Sequence, residues 1–250
     1  MAIHIKSEEE ICLMREAAGI LIEAHELLAK NIQVGITTKE LDKMAENFIR
    51  SKNAYPSFLN YSGYPASACI SINEEVIHGI PGDRVIQSGD IVSIDLGVYY
   101  KEYHSDAART YAVGNVSEDK LKLIEVTEEC FFQGLKFAKP GYHLNDISAA
   151  IGDYARSFGY GVVKDYVGHG VGRKLHEEPQ VPNYKTPRRG PKLQKGMVLA
   201  IEPMINLGTW QVKILEDDWT VVTRDGSPSA HYENTVVITD DIPEILTLRK

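Results

Sequence analysis

Residues 91–113, IVSIDLGVYYKEYHSDAARTYAV, decide the fold. Apolar side chains alternate along residues 91–99, which predicts a β-strand, and residues 103–113 predict a second strand. A turn near Tyr100-Lys101 would join the strands into a hairpin and bring Asp95 roughly opposite Asp106 on one face. Opposed side chains lie about 4.5–5.5 Å apart, where two like charges are unfavourable unless a positive group lies between them. The hairpin therefore indicates a metal ion.

The overall composition is that of a globular protein with a substantial core. The 250 residues are 43% hydrophobic and 25% charged, and the net charge of −8 gives no reason to expect DNA as a partner. Three cysteines, Cys12, Cys69 and Cys130, form no CxxC pair, so we expect free thiols in a reducing cytoplasm. No signal peptide is expected, and no apolar run approaches the ~18 residues of a membrane span.

Helical and strand patterns follow one another without a linker. Ser7 and Glu10 form a capping-box pattern for a helix that ends near residue 30. A second helix is capped by Thr37 or Thr38, and two more cover about 117–138 and 144–157. Further strands are predicted at 67–72, 197–205, 212–215, 219–223 and 229–238. We therefore expect a single domain, residues 1–250, of the α+β class.

Two further carboxylates lie within apolar strand patterns. Glu202 and Glu233 interrupt the runs 197–205 and 229–238, and acids are rarely buried unless they are paired or bind a metal. The glycines of 167–172 form a tight segment that presents His169. Four carboxylates and one imidazole would suit two divalent cations, with Mn, Fe(II), Co or Zn favoured over Cu(I). Such a dinuclear centre is typical of a hydrolase, because it activates water and polarises a carbonyl group.

Six stretches together identify a family. They are NEEVIHGIP (73–81), IDLG (94–97), GHGVG (168–172), LHEEP (175–179), MVLAIEP (197–203) and AHYENT (230–235). With these motifs the sequence resembles the type I methionine aminopeptidases over nearly its whole length. The resemblance implies the pita-bread fold, in which two pseudo-related halves of antiparallel strands covered by helices enclose a dinuclear metal site.

The resemblance also implies a role for each candidate residue. Asp95 would hold one metal, Asp106 and Glu233 would bridge both, and His169 and Glu202 would complete the other. Glu202 would also carry a proton from water to the leaving amine. His78 would contact the scissile amide nitrogen and His176 the carbonyl oxygen. The pocket for the methionine side chain would be formed by Phe58, Tyr61, Tyr64, Cys69, Leu175 and Trp219, beside His78 and His176.

Three functions remain open from the sequence. A methionine aminopeptidase would remove the initiator methionine from peptides and nascent chains whose second residue is small, as a cytoplasmic monomer. Xaa-Pro aminopeptidases and prolidases share the ligand types, but usually carry a large N-terminal domain. A non-catalytic pita-bread protein would be expected to have lost ligands.

A lone histidine such as His78 is more often structural, and only its place before the hairpin keeps it a candidate.

A basic segment, residues 185–195, is a candidate contact for the ribosome. It holds five cations in eleven residues and no acid, and its prolines and glycines predict a surface loop. Lys185, Arg188, Arg189 and Lys192 would bind ribosomal RNA phosphates, and the loop would lie near the rim of the site. The alternative is a solvated loop without a partner.

Overall fold

Four helices and many short antiparallel strands form the protein, and the computed structural model describes residues 2–249. The helices are α1 (Glu8–Asn31), α2 (Thr38–Ser51), α3 (Glu118–Leu135) and α4 (Leu144–Ser157), with a 3₁₀ turn at Tyr61–Gly63. The strands are β1 (Tyr55–Pro56), β2 (Ala68–Ile72), β3 (Glu75–Ile77), β4 (Ile91–Tyr100), β5 (Tyr103–Ala112), β6 (Gly161–Val162), β7 (Gly168–Gly170), β8 (Glu177–Val181), β9 (Val198–Ile201), β10 (Met204–Asn206), β11 (Val212–Ile214), β12 (Val221–Thr223), β13 (Ser229–His231), β14 (Asn234–Val237) and β15 (Glu244–Ile245). Within residues 2–249, no helix is both long and apolar enough to cross a membrane.

The first helix begins with the capping box that the sequence predicts, and the second is capped by one of the two predicted threonines. The Glu10 amide donates to the Ser7 hydroxyl at 3.3 Å, and the Glu10 carboxylate accepts from the Ser7 amide at 2.9 Å. Thr37, rather than Thr38, makes the same reciprocal pair with Glu40. Each cap satisfies two amides that the first helical turn leaves unpaired, which is worth about 1 kcal/mol. The third helix is shorter than predicted and ends at Leu135.

The hairpin β4–β5 is the centre of the first half. Its turn is Lys101-Glu102, and both residues have positive φ (46° and 68°), which matches the right-handed twist of the strands. The register pairs Asp95 with Ala108 and Asp106 with Gly97, so the two aspartates, predicted to be roughly opposite, are near one another but not directly paired. They lie diagonally, two positions apart. Because the side-chain period of a strand is two residues, both still point to the same face.

Helices α1 and α2 cover the sheet that contains this hairpin. Strands β1 and β2 both pair with β4, and β5 pairs with it as well. Leu21 of α1, Leu41 of α2 and Ile94 of β4 are fully buried in one hydrophobic cluster. In the second half, α3 and α4 pack on the sheet β13-β10-β6 and on one side of the sheet β15-β14-β9-β7-β8. A fourth sheet, β11-β12-β3, joins the two halves at one side.

The two long strands predicted at 197–205 and 229–238 are each broken. The first ends at Ile201 and resumes at Met204, and the second breaks at Tyr232-Glu233. Strands β9 and β14 pair in the five-stranded sheet, whereas β10 and β13 pair in the three-stranded one. The prediction of continuous strands is therefore wrong, because both segments pass from the five-stranded sheet to the three-stranded sheet, or back, at the same level. Pro203, which has no amide to donate, lies at this crossing and accepts from the Tyr232 amide at 3.2 Å.

Hydrogen bonds join the hairpin of the first half to the last strands of the second. The Glu233 amide donates to Ala108 O at 3.0 Å. The Thr235 hydroxyl accepts from the Asp106 amide at 2.9 Å and donates to Asp106 O at 2.8 Å. These bonds place Asp106 beside Glu233, so the carboxylates of the two halves meet between the sheets.

Candidate metal centre

A cavity of about 230 Å³ lies between the two halves. Every site residue predicted from the sequence lines it. One group carries the metal-binding atoms and is called the ligand cluster: Asp95, Asp106, His169, Glu202 and Glu233. The other group is called the apolar wall: Phe58, Tyr64, Cys69, Leu175 and Trp219. His78, His176 and Tyr61 also line the cavity.

The members of the ligand cluster come close enough to share cations. The Nε2 atom of His169 lies 3.7 Å from Glu202 Oε1 and 3.9 Å from Asp106 Oδ2. Ligand atoms of Asp106, His169 and Glu233 all lie within 4.8 Å of one another. Atoms that bind one metal ion at about 2.0–2.2 Å are separated from one another by distances comparable to those found here between His169, Glu202 and Asp106. Asp95 lies on the same hairpin face as Asp106, next to this group.

Two glycines hold the His169 backbone between neighbouring strands. A Cβ atom on Gly168 would lie 2.3 Å from Ala200 O, and one on Gly170 would lie 2.3 Å from Glu178 O. Only glycine fits at these close approaches. The sequence prediction of a tight backbone that presents an imidazole is consistent with this geometry.

His169 is prepared to act as a metal ligand. Its Nδ1 atom lies 2.9 Å from Gly170 O, an acceptor, so the proton is on Nδ1 and Nε2 faces the carboxylates with a free lone pair. Burial, followed by the nearby His176, lowers the pKa of His169 to about 3. The imidazole is therefore neutral at physiological pH, which is the form that binds metals.

Three of the four carboxylates each have one buried oxygen without a partner among the described residues. Within residues 2–249, Asp95 Oδ1, Asp106 Oδ1 and Glu233 Oε1 are buried and accept no hydrogen bond. Burial raises the pKa of Asp106 to about 7. Burial and the neighbouring Asp106 also raise the pKa values of Asp95, Glu202 and Glu233. Such a cluster resists ionisation unless cations neutralise it, so the donors present fit divalent metal ions.

The apolar wall forms the other side of the cavity. Phe58, Tyr64, Cys69 and Leu175 belong to one buried cluster, and Trp219 packs against it. The Tyr64 hydroxyl lies 3.0 Å from Ala68 O and 2.9 Å from Gly79 O, so its polar atom is satisfied away from the cavity. Burial raises the pKa of the Cys69 thiol well above its usual value, so Cys69 presents a neutral sulfur. This surface suits an unbranched, polarisable side chain.

Two further histidines lie between the ligand cluster and the apolar wall. The His78 ring makes edge contacts with Tyr166 and Trp219, with centroids 5.7 and 6.2 Å apart, and its backbone has a positive φ of 60°. The His176 ring lies 4.2 Å from that of His169, and its Nδ1 is 2.8 Å from the Tyr61 hydroxyl. Burial lowers the pKa of His78 to about 4 and that of His176 below its usual value.

A histidine beside the ligand cluster was missed from the sequence. His231 is buried, and ligand atoms of Glu202, His231 and Glu233 lie within 4.8 Å of one another. Its position two residues before Glu233 was the available signal, because alternate residues of a strand share a face. Tyr166 also lines the cavity and was not predicted.

Comparison with known proteins identifies the class. The chain belongs to metallopeptidase family M24, whose family model matches residues 12–240. It is therefore a metal-dependent hydrolase, and the sequence prediction of this enzyme class is confirmed.

Its relatives narrow the class further. The chain is 58% identical to a methionine aminopeptidase of Clostridium acetobutylicum, over 98% of this chain and 99% of the relative. It is 54% identical to methionine aminopeptidase 1 of Bacillus subtilis, over 97% of this chain and 98% of the relative. The crystal structure of a methionine aminopeptidase from Thermotoga maritima superposes with a TM-score of 0.97, at 44% identity, over 99% of this chain and 100% of that one.

These matches confirm the resemblance and the pita-bread fold expected from the motifs. A prolidase from Pyrococcus furiosus is more distant, with a TM-score of 0.80 and 28% identity. The superposition covers 98% of this chain but only 66% of that prolidase. The Xaa-Pro alternative is therefore not favoured.

Proposed function

We propose that this chain removes the N-terminal methionine from peptides and nascent proteins whose second residue is small. The observation that carries the proposal is the cavity itself, which joins a five-donor ligand cluster to an apolar wall large enough for one side chain. The full-length relatives named methionine aminopeptidase support the same substrate. A non-catalytic role is disfavoured, because all five donors and both histidines surround one cavity.

The ligand cluster would hold two divalent cations, with Asp95 on one, Asp106 and Glu233 bridging, and His169 and Glu202 on the other. Mn, Fe(II), Co and Zn all suit this donor set. When bound, such ions lower the pKa of water towards ~7 and polarise the scissile carbonyl. Glu202 then takes the proton of the attacking water and delivers it to the departing amine.

The two neutral histidines would act on opposite ends of the scissile bond. His78 contacts the amide nitrogen, and His176 donates to the carbonyl oxygen as negative charge develops there. Their lowered pKa values support these roles, because a neutral imidazole can donate without repelling a cation nearby. Phe58, Tyr64, Cys69, Leu175 and Trp219, with Tyr61, would bury the methionine side chain, which is worth roughly 1.5–3 kcal/mol.

Hydrolysis of three peptides by the metal-loaded protein tests this proposal. We expect rapid turnover of Met-Ala-Ser and little of Met-Lys-Ser, because an oversized second residue crowds the ligand cluster. Ala-Pro-Ala should not be cleaved. Equal rates on Met-Ala-Ser and Met-Lys-Ser, or preferred cleavage of Ala-Pro-Ala, would contradict the proposal.

We also propose that the protein works in the cytoplasm as a single-domain monomer, in contact with ribosomes. Lys185, Arg188, Arg189 and Lys192 are exposed and free to meet RNA phosphates. Their loop is held on the N-terminus of α4, where the Asn145 amide donates to Arg189 O at 3.1 Å. None of these four residues lines the cavity.

Sedimentation with ribosomes over a salt series tests this contact. The wild-type protein should bind weakly and lose binding steeply as salt rises. Glutamate at all four positions should abolish binding and leave Met-Ala-Ser cleavage intact. Unchanged binding by that variant would leave the loop as a solvated segment without a partner.

A further inference from the structure

We propose that His231 is a positioning residue for Glu202: its Nε2–H donates to Glu202 Oε2 and thereby turns Oε1 toward His169 and the bound ion. The inference rests on the role proposed for Glu202 as a metal ligand and proton carrier. It extends that role, because it assigns a function to a histidine outside the five-donor cluster.

The two oxygens of Glu202 face two different imidazoles. Oε1 lies 3.7 Å from His169 Nε2, and Oε2 lies 3.5 Å from His231 Nε2. His169, Asp106 and the Oε1 atom of Glu202 would hold an ion on this side of the carboxylate. The Oε2 side faces His231, so the second oxygen of the carboxylate has one nitrogen available to it.

The Nε2 atom of His231 has no other partner within residues 2–249. Among the described residues, His231 Nε2 is buried and forms no hydrogen bond at the usual distance. A buried donor left unpaired costs about 1–3 kcal/mol. Glu202 Oε2, 3.5 Å away, is an acceptor for Nε2–H, and a small closure of this distance completes the bond.

The backbone of His231 is rigidly held. Its amide donates to the Thr110 hydroxyl at 2.9 Å, and that hydroxyl lies 2.9 Å from His231 O. Strand β13 pairs His231 with Met204, two residues after Glu202. Glu202, by contrast, lies at the break between β9 and β10, where no ladder bond orients it. A fixed donor therefore stands beside a carboxylate whose own backbone is irregular.

The test compares His231→Leu with His231→Gln. Glutamine places an amide N–H near the position of Nε2, and leucine keeps the volume but has no donor. Co(II) binding is followed by calorimetry and by the visible absorption of the bound cobalt. Kinetic constants on Met-Ala-Ser and the unfolding temperature of the metal-free proteins are measured in parallel.

We expect His231→Leu to weaken binding of the ion held by Glu202 by about 10–100-fold, as is typical when a ligand loses its outer partner. At saturating cobalt its absorption bands should match the wild type, because the inner ligands are unchanged. His231→Gln should restore both affinity and kcat. Metal-free unfolding temperatures of the two variants should be alike.

Three outcomes would overturn the inference. His231→Leu could bind cobalt as tightly as the wild type, which would leave His231 without this role. Both variants could shift the cobalt bands at saturation, which would make His231 a ligand. Equal weakening in both variants would indicate simple packing. If the wild type binds cobalt as expected but does not cleave Met-Ala-Ser, the proposed function fails while the positioning role is still tested.

Discussion

The ligand cluster and the apolar wall line one cavity, but their side chains are satisfied in opposite ways. In the wall, Phe58 and Leu175 pack against other apolar groups, and the Tyr64 hydroxyl reaches backbone carbonyls. In the cluster, buried oxygens of Asp95, Asp106 and Glu233 have no hydrogen-bond partner within residues 2–249. The wall is complete as protein alone, whereas we expect cations to complete the cluster.

This difference sets the expected scale of substitutions. Removing a donor from the cluster leaves buried charges without their counter-ions, and activity depends on those ions directly. Removing a group from the wall leaves a larger pocket around the same chemistry. Effects of substitution should be greatest in the cluster and smallest in the wall.

Loss of one bridging or terminal ligand should abolish activity. Asp106→Asn and Glu233→Gln keep the side-chain shape but remove the charge, and His169→Ala removes the only imidazole of the cluster. We expect each purified variant to lose bound metal on dialysis and to cleave Met-Ala-Ser at the background rate. Elemental analysis and peptide hydrolysis measure these two properties. A variant that kept two ions and wild-type turnover would refute the ligand assignment.

Substitution of His78 should separate chemistry from metal binding. His78 lies between the cluster and Trp219 and is not proposed as a ligand. We expect His78→Ala to lower kcat by about 10²–10⁴-fold, the usual contribution of a group that assists proton transfer. Its metal content should equal that of the wild type. Loss of metal from this variant would show that the division of roles is wrong.

The sequence predicted the elements of the cluster better than their arrangement. Asp95, Asp106, His169, Glu202 and Glu233 were found because acids in apolar strands and an imidazole between glycines are unusual. The diagonal placement of Asp95 and Asp106 was not predicted. The turn lies one residue further along, at Lys101-Glu102, and this displacement alters the register of the two strands. The breaks at Glu202 and Glu233 were also missed, since an apolar run looks the same whether it stays in one sheet or crosses to another.

The prediction of the apolar wall and of the two pseudo-related halves came from the family resemblance rather than from the sequence pattern. The aromatic residues 55–64 predict only an irregular segment, and nothing in their spacing says that Phe58 and Tyr64 meet Leu175. His231 lies within the AHYENT motif, but the resemblance implies no role for it. Its importance follows from a three-dimensional relation to Glu202, which a single sequence does not contain.

Stabilisation by metal should increase with pH. The raised pKa values of the cluster carboxyls mean that the metal-free fold retains protons on them, and its stability falls as pH rises from about 4 toward the folded pKa of Asp106, about 7. Metal must displace those protons, and fewer of them remain at pH 8 than at pH 5.5. His169, with a pKa of about 3, has no proton to release in this range. With free Mn²⁺ at about 100 times its dissociation constant at pH 8, we expect a rise in unfolding temperature of about 5–10 °C. The same free Mn²⁺ should give a smaller rise at pH 5.5, and a constant or larger rise at pH 5.5 would contradict this.

Truncation of Phe58 should have the smallest effect, on substrate preference alone. Phe58 packs on Gly97 of β4, where an added Cβ would lie 2.9 Å from its ring, so the ring closes the pocket two residues from Asp95 without supplying a donor. In Phe58→Ala we expect metal content and kcat to be retained and KM for Met-Ala-Ser to rise about tenfold, the cost of a poorly filled apolar pocket. Tyr55→Ala is the matched control, because Tyr55 is 59% exposed, three residues away, and does not line the cavity. Loss of metal in Phe58→Ala, or an equal change in Tyr55→Ala, would show that the wall and the cluster are not separable.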